Sequence, residues 1–181
     1  MVKRNLSLRD LSPRKKGECR WCGAPVGKGR RTWCSQTCVD QYLVRSDPAT
    51  ARQRVYGRDR GVCALCGLNT VRLAAVARTE FRRVKALAAD LRRDWPQPLR
   101  DLWRVLVLLD GRPYEVPVSW GWRGPHSIKA ARLWQADHVV PVAEGGGACG
   151  LENLRTLCVW CHPKETGALR RRLNAARRPG G

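Results

Sequence analysis

The richest chemistry in this sequence lies in its last third. Trp134-Gln135-Ala136-Asp137-His138-Val139-Val140-Pro141-Val142 is followed by Gly145-Gly146-Gly147. Leu151-Glu152-Asn153-Leu154 comes next, and then Leu157-Cys158-Val159-Trp160-Cys161-His162-Pro163-Lys164. A carboxylate and an imidazole adjoin at Asp137-His138, and a second imidazole follows at His162. Phosphodiester hydrolysis needs an activated water, a cation to offset the charge on phosphorus, and a fixed arrangement of both. A neutral imidazole, with an ordinary pKa of about 6.5, can take a proton near pH 7. A carboxylate with one imidazole makes a sparse metal site that leaves positions for water and phosphate. Asn153 can hydrogen-bond loop backbone and hold His138 in its orientation. Any one of these residues alone would be read as packing or surface; the combined spacing carries the signal. His126, in a Gly/Pro-rich stretch outside this pattern, is read as incidental.

The cysteines form a second constellation. Cys19/Cys22 and Cys34/Cys38 are two close pairs, with Gly23 after the first and Gly27 and Gly29 in a hairpin-like connection. Ser35 is placed to cap a short helix through Val39, Tyr42 and Leu43. Knuckle, hairpin and helix together make a treble-clef-like module for one tetrahedral structural zinc. Cys63 and Cys66 form another knuckle without a nearby partner pair. Cys158 and Cys161 are the available partners, more than 90 residues on, so the intervening chain reads as an insertion whose ends meet at a second zinc. Cys149 has no pair and is read as a small buried thiol.

The elements that position these residues follow from caps and periodicity. Asp47-Pro48 reads as N-cap and first residue of a helix through Val55 and Tyr56, closed near Gly61. Leu73, Val76, Ala77, Phe81, Val84, Leu87, Ala88 and Leu91 recur at helical spacing, with Arg78, Arg82, Arg83, Arg92 and Arg93 on the polar side, until Pro96 and Pro98. Leu99, Leu102, Trp103, Leu106 and Val107 continue as a second helix to Asp110-Gly111, or Arg104 to Leu109 form a strand. Residues 112–125 read as loop, with Trp120 and Trp122 as core anchors or, less readily, stacking platforms for a base. An apolar run ending at Asp137-His138, a glycine loop, a short strand after Asn153 and a helix opened by His162 bring the reactive residues together. That helix carries Ala168, Leu169, Arg172, Leu173 and Ala176 at period 3.6.

Charge sets the partner class. The 181 residues carry 35 Lys plus Arg against 15 Asp plus Glu, a formal net charge of +20, and the sequence pI is near 10.8. Eight zinc-bound thiolates and two Zn²⁺ would still leave about +16. Such a chain attracts polyanions, nucleic acid before anionic membrane. The arginine-dominated cation set suits bidentate phosphate contacts. Lys164, Arg170, Arg171 and Arg172 are the candidate nucleic-acid contacts near the reactive segment, against the plainer reading of a solvated helix face. Hydrophobic residues at 43%, with 8 Trp, argue against a generically disordered chain. No apolar run approaches a membrane span. No secretory signal is read at the N-terminus, which points to a reducing cytoplasm, at the nucleoid in a bacterium, where cysteines are metal ligands rather than disulfides. The expected organisation is a basic flexible arm over 1–18, a zinc module over 19–46, and a catalytic domain over 47–181 with an insertion at about 70–130.

The D-H…N…C-x-x-C-H pattern resembles the HNH endonucleases of the ββα-metal superfamily, in the form clamped by two C-x-x-C knuckles. The texts C-R-W-C-G, R-G-V-C-A-L-C-G, L-W-Q-A-D-H-V-V-P-V-A-E-G-G-G and N-L-R-T-L-C-V-W-C-H are similar to the branch that ends fork-remodelling helicases. The likeness covers roughly 19–68 and 132–170, and leaves the insertion unmatched. It implies an α+β fold: a small zinc-stabilised ββα-metal nuclease core with a helical insertion and the N-terminal treble-clef-like module. It implies His138 as general base, Asp137 and His162 as ligands of one divalent metal, and Asn153 as the residue that orients the active-site loop. Mg²⁺ or Mn²⁺ is the implied ion, with Zn²⁺ or Ni²⁺ tolerated. The implied reaction is hydrolysis of duplex or branched DNA to 5′-phosphate and 3′-hydroxyl ends, in the setting of DNA repair. RNA and a substrate-directing protein partner remain open. No G-x-x-x-x-G-K-[S/T] pattern is present, so ATP coupling does not carry over. The competing reading is a non-catalytic, zinc-stabilised nucleic-acid-binding module.

Overall fold

The computed structural model describes residues 15–90, 104–121 and 124–177, and the chain divides into two units. The expectations for most of the basic arm, for Arg92 and Arg93, for the Pro96/Pro98 stop, and for Leu99, Leu102, Trp103 and Trp122 lie outside these residues. The architecture is mixed α and β, with four α-helices and three two-stranded sheets among the described residues. None of the helices is long and apolar enough to cross a membrane.

The first unit comprises Met1–Asp59, Ala136–Thr156 and Glu165–Gly181. Helix α1 (Gln36–Ser46) starts where the hydroxyl of Ser35 accepts the Cys38 N–H, the cap expected there. Helix α2 (Pro48–Asp59) starts at Asp47, whose carboxylate accepts the Thr50 N–H at 2.9 Å and the Ala49 N–H at 3.3 Å. Those hydrogen bonds hold the Asp47 carboxyl below its usual range, the Thr50 hydroxyl contributing most. Tyr42 and Val55 carry the apolar faces of the two helices inward, and Trp33 packs on Tyr42 at 5.2 Å between ring centroids.

The second unit comprises Arg60–Gln135 and Leu157–Lys164. Helix α3 (Thr70–Asp90) is capped by Asn69, whose side-chain oxygen accepts the Val71 and Arg72 N–H groups. Leu73, Ala74, Ala77 and Phe81 form its buried stripe, packed with Val105, Val107, Val116, Leu133 and Leu157 in one core. Burying such a side chain contributes roughly 1.5–3 kcal/mol, which makes this cluster the main cohesion of the unit. Strands β1 (Arg104–Leu109) and β2 (Arg112–Pro117) pair antiparallel, with Leu109 opposite Arg112. Short strands β3 (Ser119–Gly121) and β4 (Gly124–Ser127) follow.

One open alternative is decided here and one expectation is corrected. Residues 104–109 are a strand rather than the end of a helix, because Val105, Val107 and Leu109 alternate inward at period two. Asp110 and Gly111 both have positive φ, 50° and 74°, so this dipeptide is a tight hairpin turn rather than a helix stop. The stretch 112–125 is correspondingly not loop-like: it holds β2, β3 and the start of β4.

Strands β5 (Trp134–His138) and β6 (Leu154–Cys158) form the third pair. The Val139 N–H donates to Asn153 O at 2.9 Å and the Val159 N–H to Leu133 O at 3.0 Å, which brackets an antiparallel hairpin. Helix α4 (His162–Ala176) follows. The order strand, glycine loop, strand, helix is the one expected from the sequence.

Candidate active site and metal centres

Two cysteine tetrads stand out. Cys19, Cys22, Cys34 and Cys38 form one, and Cys63, Cys66, Cys158 and Cys161 the other, with all Sγ atoms of each group within 4.8 Å of one another. All are free thiols. Sulfur separations are 3.4 Å for Cys22–Cys34, 3.5 Å for Cys34–Cys38 and 3.7 Å for Cys66–Cys158. A tetrahedron with metal–sulfur bonds of about 2.3 Å has edges of about 3.8 Å. The geometry fits a four-thiolate metal centre, and the second tetrad closes a loop of more than 90 residues, as expected for the insertion.

The two knuckles are built alike. The Gly23 N–H donates to Cys19 O, and the Gly67 N–H to Cys63 O, each at 2.9 Å. Both glycines have positive φ, 80° and 71°, which a side chain would strain. Burial raises the Cys19 thiol, but N–H donors of Cys22, Cys34 and Trp21 outweigh it and bring it down to about 6. Cys63 falls to about 7 in the same way, against its burial, through N–H donors of Cys158, Cys66 and Leu65. Hydrogen bonds with Cys22 and Cys38 push Cys34 up to about 12, and burial pushes Cys158 and Cys161 up. One thiol of each set ionises readily, and two of its neighbours hold their protons until a cation compensates the charge. Cys38 is the second raised thiol of its tetrad, the Ser35 hydroxyl opposing and burial and Cys22 prevailing. Cys149 belongs to neither tetrad and is half-buried.

The loop between β5 and β6 is held by one side chain. Asn153 Oδ1 accepts the Val140 N–H at 2.7 Å, and Nδ2 donates to Val140 O at 3.1 Å and to Gly146 O at 3.0 Å. The loop leaves no room at Gly146, where a Cβ would stand 1.7 Å from Val140 O and 2.8 Å from Asn153 Nδ2. Asn153 therefore fixes the backbone two residues beyond His138 with two hydrogen bonds and the glycine turn with a third. Helix α2 supports the far end. Arg58 donates to Leu151 O at 2.8 Å and Leu154 O at 2.6 Å, while Asp59 accepts the Thr156 N–H at 3.0 Å. The Arg58 guanidinium holds the Asp59 carboxyl below its usual range, outweighing burial. Arg45 lies 4.8 Å from the Trp21 ring centre and 3.8 Å from Glu152, so the cysteine module also reaches this loop.

Asp137 and His138 border a cavity of about 350 Å³ with Pro141, Arg155, Glu165 and Leu169. Arg155 bridges two carboxylates in its wall: Nε and Nη2 reach Asp137 Oδ2 at 3.2 Å, and Nη2 reaches Glu165 at 2.8 Å. Arg155 is thus shared between two carboxylates, and Arg172 lines the same cavity while paired with Glu144. On its other side His138 borders a smaller cavity of about 150 Å³ with Arg45, Ala148 and Cys149.

The structure thus brings Asp137, His138 and Asn153 to one loop and strand end. His162 lies in the other unit, half-buried in the first turn of α4. Lys164, Arg170 and Arg171 are exposed on α4. Arg172 is not a free cation: its guanidinium meets Glu144 at 3.1 Å. Arg155, Glu165 and Glu144 carry no clear signal in the sequence. What signal there is stays weak: Arg155 stands two residues after Asn153, on the same side of an extended strand, and Glu165 one helical turn after His162.

Residues 122–167 match the HNH endonuclease family. The matched segment contains Asp137, His138, Asn153 and His162. Over 146 residues, 81% of this chain, it is 31% identical to the human "DNA annealing helicase and endonuclease ZRANB3" and 30% identical to the cattle protein of that name. It spans only 12% of the length of those relatives. Among solved structures it resembles the crystal structure of the human ZRANB3 HNH domain, with 27% identity and a TM-score of 0.41, covering 74% of this chain and 98% of that one.

Proposed function

We propose that this protein is a metal-dependent DNA endonuclease that hydrolyses phosphodiester bonds. The observation that carries the reading is the placement of His138 beside Asp137 on a cavity whose bordering loop is clamped by Asn153. In this reading His138 takes the proton from the attacking water. Asn153 keeps the loop, and so the imidazole, in the attacking position. Asp137 and His162, an oxygen and a nitrogen donor, would hold one divalent cation, Mg²⁺ or Mn²⁺ as the family likeness implies, with Zn²⁺ or Ni²⁺ tolerated. When bound, that ion would offset charge on the phosphate and the leaving oxygen. As the water oxygen bonds to phosphorus the P–O3′ bond breaks and the departing 3′ oxygen takes up a proton from solvent, which leaves 5′-phosphate and 3′-hydroxyl ends. The two cysteine tetrads take structural Zn²⁺, since four thiolates in tetrahedral array suit that ion. In this reading Lys164, Arg170 and Arg171, exposed on α4, meet the DNA backbone. The relatives, named as a DNA annealing helicase and endonuclease, support the choice of substrate.

The test is cleavage of plasmid, fork, flap and single-stranded DNA with Mg²⁺ or Mn²⁺, wild type against His138→Ala. General-base removal typically costs about 10²–10⁴-fold. The variant is expected to lose cleavage by that order while keeping zinc and DNA affinity. Equal cutting by folded, zinc-loaded His138→Ala would refute the assignment. Wild type that binds DNA and cuts nothing in any divalent metal would instead favour the non-catalytic binding module.

A further inference from the structure

The insertion carries a feature that catalysis does not use. Within the second unit, α3 and the end of β4 enclose a groove of about 540 Å³. Its floor is apolar, with Phe81 and Ile128 only 4% and 3% exposed. Its rim carries Arg78, Arg82, Lys85 and the hydroxyls of Thr79 and Ser127, and among the described residues no carboxylate. Arg82 donates to neutral oxygens, Arg78 O and Thr79 Oγ1, each at 3.4 Å, and Lys85 sits 5.7 Å from the Phe81 ring centre.

The neighbouring cations are treated differently. Arg72 meets Asp110 at 2.9 Å, Arg83 meets Glu80 at 2.8 Å, and Arg104 meets Glu115 at 2.7 Å. Among the described residues, carboxylates meet these three arginines and none of the three cations on the groove. Arg78, Arg82 and Lys85 fall at i, i+4 and i+7, one stripe of the helix. At 1.5 Å rise per residue they span about 10 Å along the axis. One strand of duplex DNA presents about three phosphates over that length, one per 3.4 Å.

We infer that this groove holds a phosphodiester backbone of the nucleic acid, on residues other than those that line the cavity beside His138. The inference rests on the nuclease reading above and gives the insertion a role in holding the substrate. Arg78 and Arg82 donate N–H groups to phosphate oxygens, and Lys85 supplies a point charge.

The test is fluorescence anisotropy of a labelled duplex with the full zinc-loaded chain, without catalytic metal, across a salt series. Arg78→Gln/Arg82→Gln/Lys85→Gln is compared with Arg83→Gln, which removes a charge from the same helix but off the groove. Each phosphate that is no longer neutralised makes the log–log salt slope shallower by about 0.9, so the triple variant should lose nearly three. Its affinity should drop at least about tenfold at 0.1 M salt. Arg83→Gln should change the slope by much less than one phosphate's share. With metal, cleavage by the triple variant at saturating DNA should match wild type while half-saturation shifts upward. If the triple variant fails to retain zinc, Arg78→Gln alone should still shift the slope by about 0.9. A triple variant whose slope moves no more than that of Arg83→Gln overturns the groove assignment and leaves the nuclease reading standing. Wild type that binds no nucleic acid overturns both.

Discussion

Replacing Asn153 with alanine tests how the loop is built. The side chain makes three hydrogen bonds, two to Val140 and one to Gly146. At about 1 kcal/mol net each, discounted because the side chain is half-buried, they hold the loop by about 2 kcal/mol. That is roughly a 30-fold change in the opening equilibrium, at about 1.4 kcal/mol per tenfold. The expected outcome for Asn153→Ala is exchange of the Val140 amide hydrogen about 30-fold faster, with amides of the β1–β2 hairpin unchanged. Asn153→Asp keeps the acceptor for the Val140 N–H but turns an oxygen toward Val140 O and Gly146 O. It should therefore loosen the loop at least as much as alanine. Cleavage should fall with loop protection while both tetrads keep their zinc. Val140 exchange within about twofold of wild type in Asn153→Ala would show that other contacts hold the loop, and the reasoning would fail.

The remaining predictions concern the same frame. Gly146→Ala drives a methyl group into Val140 O and should lower the melting midpoint by at least about 5 °C, measured by calorimetry. Cys158→Ser removes a ligand from the tetrad that joins residues 63–66 to 158–161, so elemental analysis should find one zinc and circular dichroism a disrupted second unit. In the intact protein Cys34, Cys38, Cys158 and Cys161 are all raised above the ordinary thiol value. They hold protons near neutrality, so metal binding must displace at least two per tetrad and apparent affinity should climb about 10²-fold or more per pH unit from 6 to 8. Competition with a chromophoric chelator checks this, and a flat profile would count against thiolate ligation. Arg155→Ala leaves Asp137 and Glu165 facing each other without their shared cation. A stability loss of about 1–2 kcal/mol is expected in denaturant titration, and Arg155→Lys should recover only part of it, since an ammonium cannot serve two carboxylates with a fixed fork.

The sequence by itself determined the local elements whose signals are complete within a few residues. Ser35 and Asp47 cap α1 and α2 because their oxygens reach N–H groups three residues on. Leu73, Ala77 and Phe81 recur at helical period, so the buried face of α3 was readable. The C-x-x-C-G texts specify the two knuckles, because the thiol spacing and the positive-φ glycine are local requirements. The D-H…N…C-x-x-C-H text identified the HNH segment for a similar reason: hairpin and helix hold those residues at fixed offsets.

Tertiary structure decided the rest. Over six residues, Arg104 to Leu109 fit either period, and only pairing with β2 made them a strand, with Leu106 and Leu108 left 68% and 69% exposed. The bridge from Asp137 through Arg155 to Glu165 spans residues 10 and 18 positions apart, and Arg58 reaches backbone carbonyls 93 and 96 positions away. No spacing rule encodes such pairs, because a long flexible side chain finds its partner only after the backbone has placed both. The same reason separates Arg72, which reaches Asp110 38 positions away, from Arg78, Arg82 and Lys85 on the same helix: in the sequence they are equivalent charges, and the fold gives a carboxylate to the first and not to the others.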